Sequence, residues 1–379
     1  MGFENAYVAP LSQSIRQEIK SPVIVTGRIN QPQIAEQVIA RGQADLCGMT
    51  RAMICDADMP NKARDGQLDD IRACVACNQS CIGRAHKGLG ISCLQHPESG
   101  RETLYPPKPR VLSPKKIIIV GGGPAGMKAA AVEAARGHKV TLYEKSAHLG
   151  GQVLLAQRLP GREEFGGLVN NLTREMENAG VEVVKNCAVT PALIEDSEAD
   201  NIILATGAQA FIPPIEGLDT TEIAGVEDIL LNRVKPGASV VIADWRADWI
   251  GLGLAEKLAR DGCYVRLYTN AALVGESLQI YTRNHYVARL YRLGVEMITH
   301  ARLCGADGDV VYFQNTLSDQ VMVAEAVNTL VLSMGHQPVN DLEHALKARG
   351  ISCVSIGDCI VPRTAEEAIY EALLATTEI

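Results

Sequence analysis

Aromatic side chains are few: four Phe, ten Tyr and two Trp make up 4% of the 379 residues. A surplus of positive charge is also missing, since 36 Lys and Arg face 44 Asp and Glu, for a net charge of −8. A nucleic-acid binder wants basic stripes and stacking rings, so no nucleic-acid partner is expected. No apolar run reaches the roughly 20 residues of a membrane span. Hydrophobic residues still make up 47% of the chain, enough for a sizeable core. The opening Met1-Gly2-Phe3-Glu4-Asn5 lacks the basic and apolar regions of a signal peptide. These absences predict a cytoplasmic protein of two or three domains.

Cysteine, by contrast, is plentiful. Seven of the eleven, at 47, 55, 187, 263, 304, 353 and 359, are scattered, and an odd number cannot all pair. That pattern fits reduced thiols. The other four are clustered: Cys74-Val-Ala-Cys77-Asn-Gln-Ser-Cys81, then Cys93 with eleven residues between. A structural zinc usually pairs two CxxC knuckles, and only one is present. Three close thiols plus one distant thiol suit a [4Fe–4S] cluster, with zinc as the alternative. Arg72, Arg84, His86, Lys87 and Arg101 lie around them in sequence. Positive charge there would raise a cluster's potential. The plainer reading of these charges is solvated surface.

Before the cysteines, Pro22-Val-Ile-Val-Thr26 and Ala44-Asp-Leu-Cys47 read as short strands. A helix from about Gln31 to Arg41 joins them, with Ile34, Val38 and Ile39 expected on one face. Gly27-Arg28 and Gly48-Met-Thr-Arg51 follow the strands. Glycine-freed N–H groups and an arginine fork at strand ends suit a phosphate, as in the last two strands of a (β/α)8 barrel. Two ordinary turns with surface arginines are the alternative. After the cysteines, Tyr105-Pro-Pro-Lys-Pro109 reads as a stiff linker.

Lys116-Ile-Ile-Ile-Val120 is an apolar strand running into Gly121-Gly-Gly123-Pro-Ala125-Gly126 and an alanine-rich helix. The next strand, Lys139–Tyr143, ends at Glu144, 18 residues past Gly126. A lone GxGxxG is weak, but between strand and helix with an acid at that distance it marks a dinucleotide site. Gly121 permits the turn, Gly123 lets backbone approach a pyrophosphate, Gly126 lets helix and strand pack, and Glu144 accepts from ribose. Gly151-Gln152, Thr206-Gly207 and Gly357-Asp358 are further turns of the kind found in two-dinucleotide-domain reductases. Gly357-Asp358 belongs with the first fold, so that fold is split by an insertion. FAD or ADP is the expected ligand, with Gly151-Gln152 leaning toward FAD.

The insertion repeats the pattern without its glycines. Strand Ser239–Ala243 and helix Gly251–Ala259 are joined by Asp244-Trp-Arg-Ala-Asp-Trp-Ile250. Carboxylates repel phosphate and indoles block close approach, so this loop is not built for NAD(P)H. Trp245 and Trp249 are read as caps on an apolar face.

The chain resembles the carboxyl-terminal part of the family that includes trimethylamine dehydrogenase, histamine dehydrogenase, dimethylglycine-type demethylases and 2,4-dienoyl-CoA reductase. The matching residues are Val25-Thr-Gly-Arg-Ile-Asn30, Ala44-Asp-Leu-Cys-Gly-Met-Thr-Arg51, Asp58-Met-Pro-Asn-Lys-Ala63, Cys77-Asn-Gln-Ser-Cys81 and Cys93-Leu-Gln-His-Pro97. The resemblance runs to the end of the chain. It implies a [4Fe–4S] cluster on Cys74, Cys77, Cys81 and Cys93. It also implies FMN phosphate contacts from Gly27, Arg28, Gly48, Met49, Thr50 and Arg51. The family's barrel takes about 250 residues; only about 70 precede the cysteines here, so FMN is expected only if a partner chain completes the barrel.

The expected fold is α/β. Residues 1–69 are a barrel remnant, 70–113 a cysteine-rich iron–sulfur segment with linker, 114–235 plus 331–379 an FAD- or ADP-binding Rossmann-like domain, and 236–330 a nested NAD(P)-like domain; the two nucleotide folds are expected to be three-layered. The resemblance implies an iron–sulfur flavoprotein oxidoreductase of amine dehydrogenase or N-demethylase type. Electrons would pass from FMN through the cluster to an electron-transfer flavoprotein or similar acceptor, with no turnover before the barrel is completed. The alternatives are a shortened NAD(P)H-dependent enoate or dienoyl-CoA reductase, and a non-catalytic nucleotide-binding assembly subunit.

Overall fold

The computed structural model describes residues 2–106 and 109–376. The linker read at Tyr105–Pro109 includes positions 107 and 108, which lie outside the described residues. The chain divides into two compact units, one from 1–153, 164–207 and 339–379, the other from 154–163 and 208–338.

The first unit is built on Lys116–Val120. A strand apolar on both faces must be covered on both faces, and Ile117, Ile118 and Ile119 are at most 1% exposed. Each such side chain contributes about 1.5–3 kcal/mol. Five parallel strands run in the order Val354–Ser355, Asn201–Leu204, Lys116–Val120, Lys139–Tyr143, Glu182–Val184. The first strand in sequence lies at the centre, which is the Rossmann order. Val120 registers with both Tyr143 and Leu204. The carboxyl ends of three strands therefore share one edge, where such sheets bind ligands. Helix Pro124–Ala135 leaves the central strand with proline at its start, where a missing N–H costs nothing. Helix Gly166–Ala179 buries Leu168, Leu172 and Met176, spaced by four, and stops at left-handed Gly180. Helix Ala365–Ala375 is capped by Thr364, whose side chain accepts from the Glu366 N–H.

The same unit contains a separate parallel pair, Ile24–Thr26 and Leu46–Gly48, joined through helix Pro32–Ala40. Val38 is buried in that helix, but Ile39 is 39% exposed. The expected face is therefore narrower. Residues 34 and 38 stack one turn apart, whereas 39 is rotated about 100° away.

The second unit has its own five-stranded parallel sheet, ordered Glu296–Ile298, Tyr264–Thr269, Ser239–Asp244, Thr329–Ser333, Ile223–Gly225. Val240 and Ile242 pack with Leu252, Leu254 and Leu258 of helix Trp249–Arg260. Val241 and Ala243, on the opposite face, pack with Leu303, Val311 and Phe313. Those three belong to an antiparallel sheet of Ala301–Asp307, Val310–Asn315 and Val321–Ala324. Helices, parallel sheet and antiparallel sheet make three layers. The antiparallel layer has no counterpart in the sequence reading.

Candidate functional site: a thiol cavity and a dinucleotide cradle

All four clustered cysteines line one small cavity in the first unit, together with Arg51 and Ile54. Two left-handed residues, Ala76 and Asn78, turn the chain between Cys74 and Cys81. The Ser92 N–H bonds the Ser80 carbonyl at 2.9 Å, bringing the leg with Cys93 back beside the first three. The neighbouring backbone is anchored from outside the segment. Asn30 donates to the Cys74 carbonyl at 2.8 Å, and Gln95 donates to the Ala73 carbonyl at 2.7 Å. Asn171 in turn donates to Gln95 at 2.6 Å.

Burial dominates the thiol chemistry. It pushes Cys74 up to about 11, Cys77 well above its ordinary value, and Cys81 upward. Cys93 goes the other way, to about 7, because Cys55 hydrogen-bonds it and, despite burial, the Gln95 and His96 N–H groups and Arg72 also favour its thiolate. Four thiols line the cavity, with no imidazole or carboxylate among its lining residues. An all-thiolate set of four is what an iron–sulfur cluster takes. Among the described residues, no three His, Cys, Asp or Glu side chains are gathered so as to hold a single metal ion.

The charges expected around the thiols sort differently. Arg72 is there, paired with Glu175 at 2.7 Å and donating to the Cys55 carbonyl at 3.2 Å. Arg84 turns to the Gly90 carbonyl, and Arg101 lies over the Tyr370 ring. His86 and Lys87 are exposed. Buried Lys128 stands 3.3 Å from Glu98 and 3.7 Å from Glu175. Arg51, assigned from the sequence to a phosphate, donates Nη1 to Asn78 Oδ1 at 2.6 Å inside the cysteine loop. Cys55, Gln95, Asn171 and Lys128 join the site without a signal in the sequence. Their approach is tertiary, and no local spacing signals it.

At the strand pair, Thr26 registers with Gly48, so the Gly27-Arg28 and Gly48-Met49-Thr50 turns are neighbours. A Cβ on Gly27 would meet Val8 at 2.6 Å. Arg28 is left-handed, with φ 55°, and its guanidinium pairs with Glu164.

The cradle lies at the carboxyl edge of the first unit's sheet. Gly121 has φ 113°, and a Cβ there would stand 2.2 Å from the Ala205 carbonyl. A Cβ on Gly126 would stand 1.9 Å from the Gly121 carbonyl. At Gly123 an added Cβ would meet nothing within 4 Å, which is the open backbone a pyrophosphate needs. Glu144 accepts from the Gly122 and Ser146 N–H groups, both at 2.7 Å. The Gly150 N–H bonds the Gly122 carbonyl at 2.7 Å, folding the turn with Gly151 and Gln152 over the glycines. Gly357 abuts Ala125, its Cβ position 3.0 Å from the alanine's, so Asp358 adjoins the same loop. Thr206 donates to the Val339 carbonyl at 2.5 Å, and Gly207 has φ 76°. These residues fit the adenosine diphosphate half of a dinucleotide.

The second unit's equivalent position is filled by its own carboxyls. Asp248 caps helix Trp249–Arg260 by accepting from the Ile250 N–H at 2.8 Å. Asp244 ends the central strand and is 2% exposed. A Cβ on Gly251 would stand 2.4 Å from its carboxyl carbon. Burial, then the Asp248 charge, pushes Asp244 up to about 8. Trp249 is buried under Arg162, 4.4 Å from its ring, while Trp245 is 48% exposed. Only one of the two indoles is therefore a cap on the core.

Two nucleotide folds of this order in one chain define the two-domain reductase class. The chain belongs to the pyridine nucleotide-disulphide oxidoreductase family, whose model matches residues 115–372, and residues 5–70 match the NADH:flavin oxidoreductase / NADH oxidase family. It is 30% identical to a metal reductase of Desulforamulus reducens, over 96% of this chain and 58% of that protein. It is likewise 30% identical to an N,N-dimethylglycine/sarcosine dehydrogenase of Chromohalobacter salexigens, over 96% and 58%. A solved 2-naphthoyl-CoA reductase matches with TM-score 0.92 and 28% identity, covering 100% of this chain and 57% of that one. The chain thus spans 57–58% of the length of these three proteins. The flavin oxidoreductase family expected from the sequence is the family found.

Proposed function

We propose that this chain is the electron-relay part of a flavin and iron–sulfur oxidoreductase of amine dehydrogenase or N-demethylase type. Cys74, Cys77, Cys81 and Cys93 would hold a [4Fe–4S] cluster, which supplies one-electron transfer when bound. Gly121, Gly123, Ala125, Gly126 and Glu144 would hold the ADP part of FAD, or ADP itself. Gly151, Gln152, Thr206, Gly207, Gly357 and Asp358 would frame the rest of it. Gly27, Arg28, Gly48, Met49, Thr50 and Arg51 would meet an FMN phosphate once a partner chain completes the barrel. The direction of flow is from FMN through the cluster to a flavoprotein acceptor.

The observation that carries the choice of branch is the self-capped helix Trp249–Arg260. Its first turn is answered by Asp248, and Asp244 lies against Gly251. A nicotinamide dinucleotide would have to seat its pyrophosphate against two carboxyls. The test is anaerobic purification from the native host, with iron, zinc, flavin and native-mass analysis, then titration with NADH and NADPH. The expected result is iron, a bound adenine dinucleotide or ADP, a co-purifying barrel-sized chain, and no bleaching by either nicotinamide. Bleaching by NADPH alone would favour the enoate reductase reading. Iron near zero would favour the assembly subunit, and zinc in its place would end the relay reading.

A further inference from the structure

The short helix Thr50–Cys55 stands against the thiol cavity, which Arg51 and Ile54 line, while its last residue, Cys55, lies behind the lining beside Cys93. Arg51 and Cys55 are four apart, hence on one face. Arg51 lines the cavity and reaches Asn78, which lies between Cys77 and Cys81. Its charge acts on Cys74 and Cys81. Cys55 is 0% exposed, lies close enough to Cys93 to act on its thiol, and receives the Gln95 amide at 3.4 Å. The sequence sends this arginine to a flavin phosphate; the structure turns one of its nitrogens into the cysteine loop.

We propose that Arg51 and Cys55 tune the reduction potential of the cluster held by Cys74, Cys77, Cys81 and Cys93. The inference rests on the iron–sulfur reading above. Reduction adds one negative charge to a group already anionic. A half-buried guanidinium beside the cysteine loop, and a buried thiol beside Cys93 able to donate to its sulfur, both favour the reduced state, since charge and hydrogen bonds to sulfur set such potentials. Neither residue is a ligand. Both act through the cysteines.

The experiment compares full-length protein with Arg51→Gln, Arg51→Lys, Cys55→Ala and Cys55→Ser, purified with any co-purifying chain. Iron is counted, and the potential is read by electron paramagnetic resonance during a redox titration. The expected result is wild-type iron content throughout. Arg51→Gln lowers the reduced-to-oxidised ratio about tenfold at fixed ambient potential, or about 59 mV for one electron. Arg51→Lys, which keeps the charge, restores most of it. Cys55→Ala shifts the potential the same way, and Cys55→Ser, which keeps a donor, does not. Unchanged potentials in Arg51→Gln and Cys55→Ala at full iron content would overturn the inference. So would iron loss in Cys55→Ala and Cys55→Ser alike, which would make Cys55 a ligand. Absence of iron from the wild-type protein would instead overturn the functional reading.

Discussion

Asp244 shows how burial can hold the proton of one side chain. An unfolded chain releases this proton in the ordinary carboxylate range, whereas the folded protein holds it to about pH 8. The group's stabilising contribution is complete below the ordinary range and is lost as pH rises to about 8. Asp244→Asn cannot ionise and keeps an acceptor for Ser333, whose hydroxyl now bonds Oδ1 at 3.3 Å. Melting curves from pH 5 to about 8 are expected to fall more steeply for wild type than for the variant, by roughly 2–4 °C per kcal/mol lost. Parallel curves would reject the assignment. The sequence announced the acids of this loop. It did not announce that one would be buried, because burial comes from Gly251 and Ser333 closing over it.

Among elements, the glycine loop was the most legible, and its three glycines differ in kind. Gly121 and Gly126 are demanded by the fold, since a side chain would strike backbone at 2.2 and 1.9 Å. Gly123 is extended, with φ −78° and ψ 178°, and has open space at its Cβ. Gly123→Ala is therefore expected to fold with stability within about 0.5 kcal/mol of wild type. Its affinity for ADP or FAD, measured by calorimetry, should fall tenfold or more, since an intruding methyl costs about 1–3 kcal/mol. Undiminished affinity would remove the pyrophosphate from this loop. Strands such as Lys116–Val120 and Lys139–Tyr143 matched to the residue because continuous or alternating apolar runs fix both period and ends. The antiparallel layer escaped notice for the opposite reason. Ala301–Asp307 mixes Arg, Cys and Gly along its length and shifts register between Leu303 and Gly305, so no steady alternation survives. The thiol cavity was legible in its four cysteines but not in Arg51 or Cys55, which reach it through tertiary packing.

At the scale of the molecule, the strand pair near the amino terminus presents Ile24, 63% exposed, registered beside Leu46, 56% exposed. Leu11 and Ile15 of the nearby helix Ala9–Glu18 are more than half exposed as well. Exposed apolar strands invite pairing. Purified by itself, the chain is expected to self-associate in light scattering. Ile24→Lys with Leu46→Lys should reduce the association without lowering the melting temperature of the nucleotide-binding folds. Monodisperse wild-type protein would count against a barrel-completing partner on this face.

On the proposed reading, the carboxyls seated at helix Trp249–Arg260 turn a docking port into a plug. Glycines at positions 245–247 would not reopen it. Gly251 already has no side chain to remove, and the obstruction is the last residue of the strand itself. Under the function proposed, the chain is insulated from the pyridine nucleotide pool, and its electrons leave through a carrier that docks elsewhere.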